Sequence, residues 1–251
     1  MIEVKGVSKI FTNKKKEPFV VLSDISFTAS ANELVCIVGP SGCGKTMLLD
    51  ILAGFIKPTE GKVLINGVEV TGPSPDRVTI FQDYKLLPWR TVRENIELGL
   101  EVRKLPKANI DRIVNEQIES MGLSGFEDYR PAEISGGMKQ RVAIARALAI
   151  EPDIIFMDEP FGALDSANKV AMHLKLKPIL QSGKTVIFVT HDVDEAVFLA
   201  DRILIMQPSP GRICSVINIE LPRPVAKQSR GFNALRDKVL EEMAMVAGIK
   251  N

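Results

Sequence analysis

Gly39-Pro40-Ser41-Gly42-Cys43-Gly44-Lys45-Thr46 fits G-x-x-x-x-G-K-[ST], the pattern of a phosphate-binding loop. Each residue type has a physical reason. Glycines let the backbone turn tightly and approach a ligand with no Cβ between. Successive N–H groups then converge as a nest for anionic oxygens. A helix that begins inside the loop aims its positive end at the same place. Lys45 adds a mobile full charge for β- and γ-phosphates, and Thr46 a hydroxyl for Mg2+. The flanks agree with this reading. Leu34 to Val38 is a continuous apolar run, as a buried strand requires, and Met47-Leu48-Leu49 with Ile51-Leu52 make the packed face of a helix.

Outward from the loop, composition sets the class. With 251 residues, 45% hydrophobic and 25% charged, the chain reads as a soluble globular protein of one or two domains. A net charge of +1 provides no basic face, so no nucleic-acid partner is expected. No apolar run approaches the ~18 residues of a membrane span. Met1-Ile2-Glu3-Val4-Lys5 does not start a signal peptide, so the chain is expected in the cytosol. Cys36, Cys43 and Cys214 lack metal-ligand spacing and read as free thiols.

Before the loop, residues 1–38 read as a β-rich scaffold carrying Ile2, Val4, Val7, Val20-Val21-Leu22, Ile25 and Phe27. A polar, lysine-rich turn, Asn13 to Pro18, divides it. Phe11, just before that turn, is either a core aromatic or an exposed one able to stack on a nucleotide base. After the loop, Lys62 to Ile65 reads as a strand entering an Asn66-Gly67 hairpin turn. Val78-Thr79-Ile80-Phe81 is a short strand, and Gln82 either caps the following loop or stands in a site at the sheet edge. The composition then shifts. Leu86-Leu87-Pro88-Trp89 forms an apolar knot, and Ile110, Ile113, Val114, Ile118 and Met121 recur on one helix face. Residues 85–150 read as a mostly helical insertion in a core made by 1–84 and 151–220.

That insertion ends with Ser135-Gly136-Gly137 before another helix. Ser135 is an ordinary N-cap or marks a second anion-binding helix start. Ile154-Ile155-Phe156-Met157 leads into Asp158-Glu159, two acids that are costly at the end of a buried strand without a cation. Asp158 is the expected Mg2+ partner and Glu159 the candidate general base. Gly162 to Asp165 is a tight loop before a helix near 167–181, in which His173 is expected at the surface or partly packed. Val186 to Val189 is a buried strand ending near His191, where open α/β sheets place ligands. Phe232, Leu235, Val239, Met243 and Val246 define a last helix docked on the core, with no separate regulatory domain expected in the tail 221–251.

Together and in this order the motifs resemble the ATP-binding-cassette ATPases over essentially the whole chain. Gly39 to Thr46 is similar to their Walker A motif, Gln82 to the Q-loop, Ile134 to Met138 to the signature loop and Ile154 to Glu159 to Walker B. Gly162 to Asp165 resembles the D-loop and His191 the switch histidine. The resemblance implies an α/β P-loop NTPase with a RecA-like core, an N-terminal antiparallel β region and an inserted helical subdomain. It implies ATP and Mg2+ as cofactors, with Thr46, Asp158 and Gln82 at the metal, and Glu159, His191 and Gln82 at the reacting phosphate. It implies a head-to-tail dimer of cassettes in which Ser135, Gly136 and Gly137 of one copy cap the nucleotide of the other, Asp165 links the two sites, and Phe11 stacks on adenine.

Met47 stands where a second hydroxyl residue is usual, Ile134 replaces the usual Leu and Met138 the usual Gln. Leu86-Leu87-Pro88-Trp89 and Leu221-Pro222-Arg223-Pro224 resemble importers for nitrate, sulfonates and taurine. The resemblance therefore implies two membrane permease subunits, an extracytoplasmic solute-binding protein and a place on the cytoplasmic side of the membrane. Trp89 would stand near the groove that receives a permease helix. The rival expectation, a cassette acting as a clamp on nucleic acid or ribosomes, is disfavoured by the near-neutral charge and the absence of a second cassette or a long coiled-coil insertion.

Overall fold

The computed structural model describes residues 1–251 except 13, 163, 181–182, 222–228 and 247–251, and leaves the side chains of 166–168 and 178–180 undescribed. Pro222, Arg223 and Pro224 of the tail motif, and Ala163 of the tight loop, lie outside the described residues.

Two sheets carry the fold. A four-stranded antiparallel sheet runs in the order β2 (Pro18–Ala29), β1 (Ile2–Thr12), β4 (Glu60–Ile65), β5 (Val68–Glu69). The Asn66-Gly67 turn closes β4 onto β5 with φ of 50° and 81°, the two left-handed positions of the expected hairpin. The second sheet has six strands, ordered β10 (Arg212–Asn218), β9 (Arg202–Gln207), β3 (Leu34–Val38), β8 (Thr185–Val189), β7 (Ile154–Asp158), β6 (Arg77–Ile80). All neighbours are parallel except β10, the antiparallel edge. Strands β3, β7 and β8 are buried at every residue, which is why they read as unbroken apolar runs rather than alternating ones.

Each face of the six-stranded sheet has its own core. Val35, Ile37, Phe156 and Ile187 pack with Leu48, Leu49 and Leu52 of helix α1 (Lys45–Ala53) and with the antiparallel sheet. Cys36, Val38, Ile155 and Phe188 face the opposite core. There they meet α2 (Val92–Val102), α3 (Lys107–Met121), α4 (Gly136–Ala149), α5 (Ser166–Leu180), α6 (Val193–Leu199) and α7 (Arg230–Val246). Every regular element described between β6 and β7 is helical. Phe232 and Val239 bury the inner face of α7.

The apolar knot has a polar staple. Asn95, fully buried on α2, accepts from the Leu87 N–H at 2.8 Å and donates to the carbonyls of Leu87, Arg90 and Thr91. Thr91 and Glu94 close a capping box at the start of α2. With the knot fixed this way, Trp89 stands 68% exposed.

Register brings the chemistry to one edge. Ile80 pairs with Met157, Asp158 with Val189, Val189 with Ile37, and Val38 with Ile205. The loops leaving β3, β6, β7 and β8 therefore open side by side at the carboxyl ends of the strands, where ligands of such sheets bind.

Candidate nucleotide site

The loop 39–46 turns from β3 into α1 as expected, and Gly44 is the N-cap with φ of 95°. It is walled on two sides. A Cβ on Gly44 would lie 2.7 Å from Leu22 Cδ2 of β2, and one on Gly39 2.5 Å from the Met206 carbonyl oxygen of β9. Only glycine fits either place. Ser41, Gly42, Gly44, Lys45, Thr46, Met47 and Glu159 line a cleft of about 270 Å3.

Lys45 is 7% exposed, and its ammonium donates to the carbonyls of Gly39 at 2.8 Å and Pro40 at 3.1 Å. Thr46 donates its hydroxyl to Asp158, which is 6% exposed at the end of β7. Burial pushes the Asp158 carboxyl up. The Thr46 hydrogen bond and the charge of Lys45 oppose that rise, and the charge of Glu159 adds to it. Burial and the charge of Asp158 likewise raise Asp50 on α1. A buried carboxylate bonded to a hydroxyl beside a phosphate loop suits Mg2+, which takes one or two protein oxygens and completes its shell from phosphate and water. Among the described residues no group of three or more His, Cys, Asp or Glu forms a cage for a metal by itself.

Glu159 leaves β7 with φ of 45°, and its N–H donates to the Val189 carbonyl at 2.9 Å. That turn points its carboxylate between two neighbours. Gln82 Nε2 donates to Glu159 Oε2 at 3.4 Å, and His191 Nδ1 lies 3.1 Å from Glu159 Oε1. Three separate sequence signals, after β6, β7 and β8, become one cluster facing the cleft.

Phe11 is 41% exposed, which removes the core alternative. It sits opposite Phe19 in the β1–β2 pairing, with the Lys9 ammonium 5.0 Å from its ring centre. Asp165 is exposed at the start of α5, and its carbonyl accepts from the Lys169 N–H at 2.8 Å. Ser135 caps α4 by accepting from the Met138 N–H at 3.2 Å. Ser135 and Gly136 are exposed, and neither they nor Gly137 line the cleft.

One expectation is corrected. His173 is 1% exposed, not a surface residue: its ring packs edge-on to Phe161 at 4.6 Å and near Phe198, with Nε2 3.6 Å from Glu195 Oε1. It belongs to a polar network that sequence reasoning missed. Lys169 bridges Glu195 at 2.9 Å and Asp192 at 3.1 Å. The Thr190 hydroxyl donates to Glu195 at 2.8 Å and accepts from the Asp192 N–H, and Asp192 in turn caps α6. His191 thus sits between Thr190, bonded to Glu195 of α6, and Asp192, paired with Lys169 of α5. Burial would raise Asp192, but the Glu195 N–H and Lys169 hold it below the ordinary carboxylate range. Glu195, deeper still, is held low against burial by His173, Lys169 and Thr190.

Residues 22–162 match the ABC transporter family. The chain is 45% identical over 242 residues to the aliphatic sulfonates import ATP-binding protein SsuB of Bacillus cereus, covering 96% of this chain and 95% of the relative. It is 44% identical to the nitrate import ATP-binding protein NrtC of Synechocystis, covering 89% of this chain and 34% of that longer one. It superposes on the dimeric structure of MJ0796, a bacterial ABC transporter cassette, with a TM-score of 0.80 at 33% identity, covering 88% of this chain and all of the other. A second dimeric structure of MJ0796, in a post-hydrolysis state with ADP and phosphate, matches equally well at 32% identity. With more than half its length inside the family match and a near full-length relative at this identity, the chain belongs to the ABC transporter ATPases: it is an ATP-binding cassette that hydrolyses ATP.

Proposed function

We propose that this cassette is the ATP-hydrolysing subunit of an importer for a small anionic solute of the sulfonate or nitrate kind, and that it works as a head-to-tail dimer against two membrane permease subunits. The observation that carries the catalytic part is the convergence of Gln82 and His191 on Glu159 at the cleft that holds Lys45 and Thr46. The loop N–H groups and Lys45 bind the phosphates. Thr46 and Asp158, with Gln82 at the rim, would hold Mg2+, which would supply positive charge to offset the negative charge that develops on the phosphates. Glu159 orients a water and takes its proton. His191 and Gln82 hold the Glu159 carboxylate and contact the γ-phosphate. Phe11 stacks on adenine.

Ser135, Gly136 and Gly137 act on the partner copy's nucleotide, and Asp165 relates the two sites. Closure then depends on the γ-phosphate, and hydrolysis releases it. The helical segment near 85–150 is the face offered to the permease, with Trp89 as an exposed apolar anchor beside it. No described helix is long and apolar enough to cross a membrane. Membrane attachment on the cytoplasmic side would therefore come through the permease. A solute-binding protein outside the membrane supplies the substrate.

The test of the catalytic reading is Glu159→Gln. Turnover of MgATP by the purified chain should fall by about 10²–10⁴-fold, while ATP binds and a dimer accumulates in sedimentation. Unimpaired turnover would remove Glu159 from the role. The importer reading is tested in vesicles holding the chain with its permease. Sulfonate or nitrate loaded on the binding protein should raise ATP hydrolysis, and a flat response to both would reject that solute class.

A further inference from the structure

Arg146 on α4 is a half-buried cation held by two backbone carbonyls. Its guanidinium donates to the Lys85 oxygen at 2.8 Å and the Tyr84 oxygen at 2.9 Å. Burial lowers its affinity for a proton, and among the described residues no salt bridge joins it to a carboxylate. A guanidinium remains charged even so. The carbonyls it holds belong to two consecutive non-glycine residues in the left-handed region, Tyr84 with φ of 55° and Lys85 with φ of 47°. Such a conformation persists only where surrounding contacts impose it. The turn lies two residues beyond Gln82. The Tyr84 side chain lies against the other end of α4: its hydroxyl oxygen stands over Gly136, 3.4 Å from where a Cβ would stand. Arg146 is ten residues along α4 from Gly136, about 15 Å of helix. The turn after Gln82 is therefore bonded to one end of α4 and packed against the other, the end that begins with Ser135-Gly136-Gly137.

We infer that Arg146 is a positioning residue that yokes the Gln82 loop to α4, so that Gln82 at a chain's own nucleotide and the cap that chain offers to its partner shift as one body. The inference rests on the reading of Gln82 and of the cap as parts of a composite ATP site. Arg146 touches no nucleotide. Its planar fork spans two carbonyls at once, which a lysine cannot reproduce.

The experiment uses the purified full chain, with MgATP turnover and hydrogen exchange of the amides at 82–88 as readouts. In Arg146→Lys, exchange at 84–88 should rise and kcat should fall about tenfold, the scale of a slight misplacement of reacting groups. KM should stay within about twofold, because the cradle is intact, and the melting temperature should stay within a few degrees. Tyr84→Phe, which removes only the hydroxyl over Gly136, should lower kcat in the same direction with unchanged exchange at 84–86. Unchanged kcat with loosened exchange would overturn the inference. So would a fall in kcat matched by a rise in KM and a large loss of melting temperature, which marks a merely structural arginine. Loss of the parent reading looks different: Glu159→Gln would then retain turnover whatever Arg146 does.

Discussion

The cradle and the cap are built in opposite ways. Lys45 and Asp158 are buried, and their polar atoms are engaged by the loop carbonyls and by Thr46. The carboxyl ends of β3 and β7 fix their places. The cap is a helix start on the surface of the helical segment. Ser135 spends its oxygen on its own helix, and Ser135 and Gly136 face solvent outside the cleft. The first N–H groups of any helix lack partners within it. One half of the proposed chemistry is thus assembled inside the chain, and the other half, on the reading proposed above, is an exposed helix start left for a partner's nucleotide. MJ0796, whose fold this chain shares, has a dimeric structure.

The largest expected effect separates these halves. Gly136→Asp puts a carboxylate where a partner's γ-phosphate would arrive, yet an acid at a helix start is favourable for the fold. MgATP turnover should fall by about 100-fold or more, in line with the loss of an oxyanion donor. Nucleotide binding to the isolated chain should not change. Mixing Gly136→Asp with Lys45→Ala chains should recover turnover that neither has alone, since each mixed dimer keeps one intact cradle facing one intact cap. If mixing recovers nothing while mixed dimers form, the cap does not act in trans.

A smaller effect probes the cradle alone. Asp158→Asn keeps the shape and hydrogen-bonding capacity of the buried group but removes its charge. The apo chain should become no less stable, because a buried carboxylate is costly without a cation. ATP binding should lose its dependence on Mg2+, and affinity for MgATP should fall by about 10–100-fold, the range seen when a metal's surroundings are disturbed. Saturating MgATP at about 100 times Kd stabilises a native chain by ~2.7 kcal/mol. In thermal melts that gain should shrink in the variant and persist in the wild type. A variant whose melting responds to MgATP as the wild type does would mean that Asp158 is not near the metal.

Much of the cradle was legible because its signals are contiguous. A glycine-rich loop between an apolar run and a helical face, or two acids at a strand end, needs no knowledge of which strands are neighbours. Gln82 and His191 were legible as positions, but their meeting at Glu159 depends on the order β3, β8, β7, β6, which no local pattern encodes. His173 was misread for a physical reason. Helix α5 buries Met172, His173, Leu176 and Lys177 and exposes Val170 and Leu174, so its polarity is partly inverted and hydrophobic periodicity gives no face. Arg146 escaped notice likewise, being one of three basic residues on α4, with carbonyl partners 61 and 62 residues earlier.

The inverted face of α5 yields the smallest expected effect and a sharper contrast between the cradle and the Thr190-His191-Asp192 loop. Lys169 is 23% exposed, and its partner Glu195 is almost fully buried. Lys169→Met leaves that carboxylate with His173 and Thr190 only. Removing one partner of a fully buried pair costs about 3–5 kcal/mol, and partial exposure of Lys169 brings the expected loss to about 2 kcal/mol. The sign with pH follows from the direction of the shifts. Asp192 and Glu195 are held below their ordinary values of 3.8 and 4.5, so the native state binds fewer protons than the unfolded chain there. Their contribution is complete above that range and fades as pH falls through the lowered native values. In Lys169→Met those native values rise toward ordinary ones, so the variant should lose stability relative to wild type at neutral pH and converge on it in acid. His173, Nε2 3.6 Å from Glu195, is the other nitrogen-bearing side chain against that carboxylate, and Lys169→Met/His173→Gln should therefore lose more than the two single changes summed. Denaturant melts of the nucleotide-free chain between neutral and acid pH measure this. A constant gap between variant and wild type across that range would mean that Lys169 holds α5 by packing alone, and that the Thr190-His191-Asp192 loop is tied down through Thr190 and the Asp192 cap instead.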